Sequence, residues 1–167
     1  FNAYNILLVY AIAVLLGEEK TEVLRILSSL TPPDGRFEQV VSAKEGIVGI
    51  IDYAHTPDAL KNVIHTINTV RNRNEKLIAV LGCGGNRDAA KRPLMAMIAS
   101  KFSDKAIFTS DNPRFEDPNE ILKQMNEGVP AAERKKVITI SNRKEAIRIA
   151  CTIAEGNDII LIAGKGH

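Results

Sequence analysis

Long apolar runs are scarce in this chain. The run ILLVYAIAVLL (Ile6–Leu16) covers 11 residues, well short of the roughly 20 needed to span a bilayer. Cysteine is scarce too. Cys83 and Cys151 stand far apart and make neither a disulfide framework nor a zinc site, so a reducing cytoplasm is the expected compartment. No His/Cys/carboxylate spacing marks another metal site. Charge of one sign is not in excess. The 22 basic residues are scattered among 20 acids for a net +2, without the basic stripe and interleaved aromatics of a nucleic-acid surface. The phosphate loop GxxxxGK[ST] is missing, and so is GxGxxG at the first strand turn. An initiator methionine and a basic leader are also missing before FNAYN, and no signal peptide is visible. The last residues, AGKGH, directly follow an apolar strand. Both ends read as cuts in a longer protein.

What is present is ordinary for a globular protein: 45% hydrophobic and 25% charged residues. The length allows one domain with a core and a remnant of another. Ile6–Leu16 reads as a helix that is apolar on every side and therefore needs cover all round. A short helix over Glu22–Ser29 follows, with Thr21 as its expected N-cap. TPPDG (31–35) then marks a boundary. The chain accordingly divides into a helical segment, 1–33, and a domain, 34–167.

Beyond the boundary, 36–42 and 47–52 are β-rich runs around AKEG, a hairpin. Four apolar strands follow, at 77–82, 105–109, 136–140 and 158–163. Helices are expected at 57–71, 91–102, 118–127 and 143–155. Thr56-Pro57, Asp117-Pro118 and Asn142 supply start signals. Leu60, Val63, Ile64, Ile67 and Val70 mark one apolar helix face. Alternating strands and helices imply an α/β fold: a mostly parallel, Rossmann-like sheet of about six strands with helices on both faces.

Ligands of such sheets sit outside the carboxyl ends of the strands. That rule selects four loops: DYAHTPD, GCGGNRDAAKR, TSDNPR and AGKGH. Glycines in the second allow close backbone approach, the following helix offers amides to an anion, and Arg87, Lys91 and Arg92 add positive charge. A plain turn with solvated basic residues is the competing reading. In DNPR, Pro113 stiffens the corner, and the planar fork of Arg114 suits a carboxylate. Asn112 offers a donor and an acceptor, and Asp111 can anchor the turn or hold an amine. An Asx-turn with a surface arginine explains the same residues. Asp52 at a strand end can accept from sugar hydroxyls, and His55 either serves a ligand or caps and packs. Cys83 has no histidine near it in sequence, and Cys151 reads as a small core residue. His65 receives no role.

FNAYN, GRFE, DYAHTPDAL, GCGGNRDAAKRP, TSDNPRFEDP and AGKGH, in that order, resemble the Mur ligases, and most closely the branch that adds 2,6-diaminopimelate. The resemblance covers essentially the whole chain. It implies a three-domain cytoplasmic enzyme, monomeric when full-length, with neither nucleic acid nor membrane as partner. ATP would phosphorylate the carboxylate of UDP-N-acetylmuramoyl-L-Ala-D-Glu, and the amine of meso-diaminopimelate would attack the acyl phosphate. Residues 1–33 would be the end of the central ATP-binding domain, and 34–167 most of the carboxyl-terminal amino-acid-binding domain. Mg2+ belongs to the central domain, so no catalytic or metal-binding residue is expected in this chain, which alone should be inactive. By the same resemblance ATP would meet Asn2, Asn5, Arg36, Asp52, Tyr53 and His55. Diaminopimelate would meet Arg87, Asp111, Asn112, Pro113, Arg114 and Gly164. A folylpolyglutamate-synthetase-like ligase, or a non-catalytic amino-acid or nucleotide-binding module on the same sheet, are the alternatives; the first leaves DNPR without a purpose.

Overall fold

The computed structural model describes residues 2–30, 34–72 and 74–165. The chain forms two compact units, residues 1–33 and 34–167. The first holds α1 (Asn2–Leu15) and α2 (Lys20–Ser29). Leu7, Leu8, Ile12 and Leu15 of α1 are all exposed, on a helix that is apolar all round as its sequence predicts. The cap of α2 differs from expectation. Glu19, not Thr21, accepts from the amides of Thr21 and Glu22. The helix starts two residues earlier than predicted, and one carboxylate there satisfies two of the orphan amides of the first turn.

The second unit runs β1 (Glu38–Val41), β2 (Val48–Asp52), α3 (Pro57–Val70), β3 (Leu77–Leu81), α4 (Lys91–Phe102), β4 (Lys105–Phe108), α5 (Pro118–Glu127), a 3-10 turn (Ala131–Lys136), β5 (Val137–Thr139), α6 (Arg143–Ile153) and β6 (Ile159–Ala163). The sheet order is β1-β2-β6-β3-β4-β5. Only β1 runs antiparallel, paired with β2 across the predicted hairpin. Three helices begin at the predicted caps: Thr56 accepts from Ala59 N, Asp117 from Asn119 N and Asn142 from Glu145 N.

Period-two alternation divides the strands between two helix layers. Leu77, Leu81, Phe108 and Leu161 pack with Leu60, Ile64 and Ile67 of α3, Met95 of α4 and Met125 of α5. Ile78, Val80, Ile107 and Ile160 meet Ala146 and Ala150 of α6 on the other face. Each large side chain so buried contributes about 1.5–3 kcal/mol. Two expectations fail by helix phase. Val70 is 73% exposed, because it lies about 80° round α3 from Leu60, at 100° per residue, in the last turn. Cys151 is exposed, because it follows the buried Ala150 by about 100° on α6.

Register matters most for the site. Asp52 and Leu81 both pair with Ala163, and Leu81 pairs with Phe108. The carboxyl ends of β2, β6, β3 and β4 are therefore level, and the four selected loops leave the sheet along one line.

Candidate functional site

The four loops enclose a cleft of about 670 Å3, a usual size for a small-molecule site. Tyr53 and His55 line it from the loop after β2, and Arg87 and Lys91 from the loop after β3. Asp111, Asn112 and Arg114 come from the loop after β4, and Gly164 and Lys165 from the loop after β6. A separate hollow of about 520 Å3 beside α5 is lined by Lys123, Asn126 and Arg134 among others. It touches none of the four selected loops.

The loops after β3 and β4 are interlocked through their backbones. Gly85 N donates to Asn112 O at 2.8 Å, and Phe115 N donates to Asn86 Oδ1 at 3.0 Å. Asn86 N donates to the Glu116 carboxylate. A Cβ on Gly85 would overlap the carbonyl of Pro113, and one on Gly82 the carbonyl of Thr109. The glycines are thus required for contact between loops, a reason the motif alone does not disclose.

Arg114 sits at φ 52°, a conformation uncommon outside glycine. Its Nη1 donates to Gly85 O at 2.7 Å. That bond aims the guanidinium and leaves the Nε–Nη2 edge, which makes no hydrogen bond among the described residues, for a carboxylate. Pro113 O accepts from Glu116 N at 3.0 Å, closing the corner. Asn112 Oδ1 is 3.4 Å from Arg114 N, a long Asx-type contact. Asp111 and Arg87 form no side-chain hydrogen bond or ion pair among the described residues, and both face the cleft.

Sequence reasoning misplaces one cation here. Arg92, predicted to charge the ligand loop, is 1% exposed. It forms a bidentate pair with Glu116 at 2.8 and 2.9 Å and also donates to Gln124 Oε1 and Gly84 O. The second residue of α4 points inward, so this guanidinium serves the scaffold. Arg92 and the Asn86 amide together hold Glu116 below the ordinary carboxylate range. The overlooked signal is Glu116 itself, an acid directly after DNPR in need of a partner.

Asp52 is also tied to the backbone. It is 9% exposed; Oδ2 accepts from Phe37 N at 2.9 Å and Oδ1 from Ala54 N at 2.8 Å. Its carbonyl accepts from Gly164 N at 3.1 Å, so Asp52 sets the geometry of two loops. Gly164 needs its φ of 95° to make that turn. Nearby, the Arg36 guanidinium stands 5.3 Å over the Tyr53 ring, and the Tyr53 and His55 rings are 4.6 Å apart. This row carries one cation on an aromatic face. Lys91 Nζ donates to His55 O at 2.8 Å, joining the loops after β2 and β3.

Burial pushes the Cys83 thiol up to about 11, and its Sγ rests 3.8 Å from Met95 Sδ. It packs as a core residue at the cleft floor, where burial disfavours the thiolate. Asn5 is exposed on α1, in the other unit. Asn2 also lies in α1, but its side chain is outside the described residues, as are Gly166 and His167. Among the described residues no group of three or more His, Cys, Asp or Glu is placed to hold a metal ion. No helix there is long and apolar enough to cross a membrane.

Residues 35–166 match the family model described as Mur ligase, glutamate ligase domain. A UDP-N-acetylmuramoyl-L-alanyl-D-glutamate–2,6-diaminopimelate ligase from Cytophaga hutchinsonii is 60% identical over all 167 residues, which cover 34% of that protein. This chain therefore spans about a third of the length of that curated relative. A solved structure of an enzyme of the same name aligns over 99% of this chain and 33% of its own, with 36% identity and a TM-score of 0.72. Folylpolyglutamate synthase from Thermotoga maritima shares the fold, at TM-score 0.61 and 21% identity over 86% of this chain and 30% of its own. With its sheet, its interlocked loops and these matches, the chain belongs to the Mur ligase family.

Proposed function

We propose that the full-length protein is an ATP-dependent ligase that joins meso-2,6-diaminopimelate to UDP-N-acetylmuramoyl-L-Ala-D-Glu, and that residues 34–167 hold the incoming amino acid. One observation carries this reading: the Arg114 guanidinium, aimed into the cleft by Gly85 O, with Asp111 beside it on the same loop. Diaminopimelate is in effect a lysine with a carboxylate added at its far end. The Nε–Nη2 edge of Arg114 takes that carboxylate, and Asp111 takes the neighbouring ammonium. Arg87, Asn112 and Gly164 complete the contacts, with Pro113 stiffening the corner. Lysine offers only a positive far end and meets Arg114 with like charge.

On this reading residues 1–33 are the end of an ATP-binding domain, in which Asn2 and Asn5 serve the adenine. Arg36, held over Tyr53, approaches the phosphates. His55 and Tyr53 flank the ribose, and Asp52 shapes that wall, each of its oxygens keeping a second lone pair for a hydroxyl. The part of the protein that binds Mg2+ and activates the carboxylate lies outside this chain. The chain alone is then inactive, and the full enzyme works as a cytoplasmic monomer on small molecules. A folylpolyglutamate synthase shares the fold, but its glutamate substrate gives the Asp111–Arg114 pair no far-end zwitterion to bind.

Arg114→Ala in the full-length enzyme tests the proposal by steady-state kinetics with each substrate varied. Two charge-assisted hydrogen bonds are at stake, so kcat/KM for diaminopimelate should fall about a hundredfold or more. The KM for ATP should stay within about threefold, because no contact of Arg114 involves the Arg36–Tyr53 row. Equal losses for both substrates would remove Arg114 from the amino-acid site.

A further inference from the structure

Arg143 is a cation beneath the cleft, outside the loops that line it. It opens α6 directly after the N-cap Asn142. Its Nη2 donates to Ala163 O at 3.0 Å, at the last residue of β6. Its Nη1 is shut off from solvent and has no hydrogen-bond partner among the described residues. An unpaired guanidinium nitrogen in such a place is costly, and a buried unsatisfied group of this kind calls for an explanation.

A carboxylate stands across one peptide bond from the Ala163 carbonyl. Gly164 follows Ala163, and a Cβ on Gly164 would lie 3.8 Å from Asp111 Oδ2. The Arg143 guanidinium thus bonds Ala163 while the Asp111 carboxylate stands beside Gly164, the next residue, and no ion pair within 4 Å joins them among the described residues. Burial lowers the pKa of Arg143, and the Asp111 charge works against that fall. Standing against consecutive residues, the two charges act on each other over a short path that runs partly through protein, where charges interact more strongly than in water.

We propose that Arg143 is a specificity-positioning residue: a fixed cation behind Asp111 that weakens its hold on a lone ammonium, so that only an amino acid bringing a second carboxylate to Arg114 binds well. Without Arg143, Asp111 would present its full charge to the cleft and attract lysine-like amines. With it, the ammonium contact contributes little unless the carboxylate contact forms too. Discrimination then comes from a repulsive element as well as an attractive one.

The inference rests on the diaminopimelate reading, and its test separates the two. In the full-length enzyme, kcat/KM is measured for diaminopimelate and for lysine in the wild type, Arg143→Met, Arg143→Gln and Arg143→Lys. The uncharged variants should narrow the preference for diaminopimelate about tenfold, chiefly by improved lysine use. Arg143→Lys keeps the charge and should hold the preference within about threefold of wild type. Equal losses for both substrates in the uncharged variants would make Arg143 merely structural and overturn the proposal, as would failure of both to fold. If Arg114→Ala leaves the preference intact, the diaminopimelate reading itself falls. If Arg114→Ala abolishes it and the Arg143 variants do not change it, only the role of Arg143 falls.

Discussion

The two edges of the sheet carry the same kinds of residue in opposite conditions. At the amino edge, Arg71, Lys76, Asp104 and Asp158 are consumed by the scaffold. Asp158 is buried, accepting from Lys76 N and Glu155 N at 2.9 Å each. Asp104 accepts from Leu77 N at 2.8 Å and from the Arg71 guanidinium. Lys76 pairs with Glu155 at 2.7 Å. At the carboxyl edge, Arg87, Asp111 and Lys165 face a cleft and make no side-chain hydrogen bond or ion pair among the described residues. Composition cannot tell these edges apart. What separates Asp158 from Asp111 is that the surrounding backbone answers the first and leaves the second facing the cleft.

The comparison sharpens if stability and substrate preference can be lost separately. The largest stability effect is expected from Arg92→Ala, which removes a scaffold cation standing on the wrong edge. Removing this 1%-exposed guanidinium leaves Glu116, Gln124 and the Gly84 carbonyl without this donor, read as a clearly lower denaturant midpoint. Diaminopimelate use should fall with it, because Glu116 then no longer holds both loops. A variant as stable as wild type would mean that Arg92 does not clamp them.

At the amino edge, Asp158→Ala strands two amides and should cost about 2 kcal/mol. The ratio of diaminopimelate to lysine use should not move. A changed ratio would break the distinction between the edges. The smallest effect concerns acid. Glu116 is held below its ordinary value of 4.5, first by Arg92 and then by the Asn86 amide. A lowered folded-state pKa gives stability that is whole above the ordinary value and fades as pH falls through the folded one. Asp104 behaves alike: burial raises its pKa, but the Leu77 amide and Arg71 outweigh that and leave it lowered. Urea melts from pH 5 downward should therefore show a decline that is shallower in Glu116→Gln. Parallel declines would contradict the assignment.

The fold was largely legible because local signals agreed. Each parallel strand was an apolar run, and Thr56, Asp117 and Asn142 sit where the helices start. Loop selection followed from topology alone, without knowledge of any ligand. What stayed hidden depends on rotation and on partners distant in sequence. Arg87, Lys91 and Arg92 look alike in GCGGNRDAAKR. Yet the first faces the cleft, the second bridges to His55 O, and the third is buried on Glu116, 24 residues onward. Nothing in SNRKEA marks Arg143; only strand order brings it to the carbonyl of Ala163. The positive φ of Arg114 also leaves no trace in DNPR. The resemblance to the Mur ligases named Arg114 but not the Gly85 carbonyl that orients it.

Titration calorimetry of the full-length protein with diaminopimelate and with lysine addresses the central claim most directly. Diaminopimelate should bind about a hundredfold more tightly, and Arg114→Ala should erase most of that gap. Equal affinities in the wild type, or a gap that survives without the guanidinium, would contradict the assignment of this cleft.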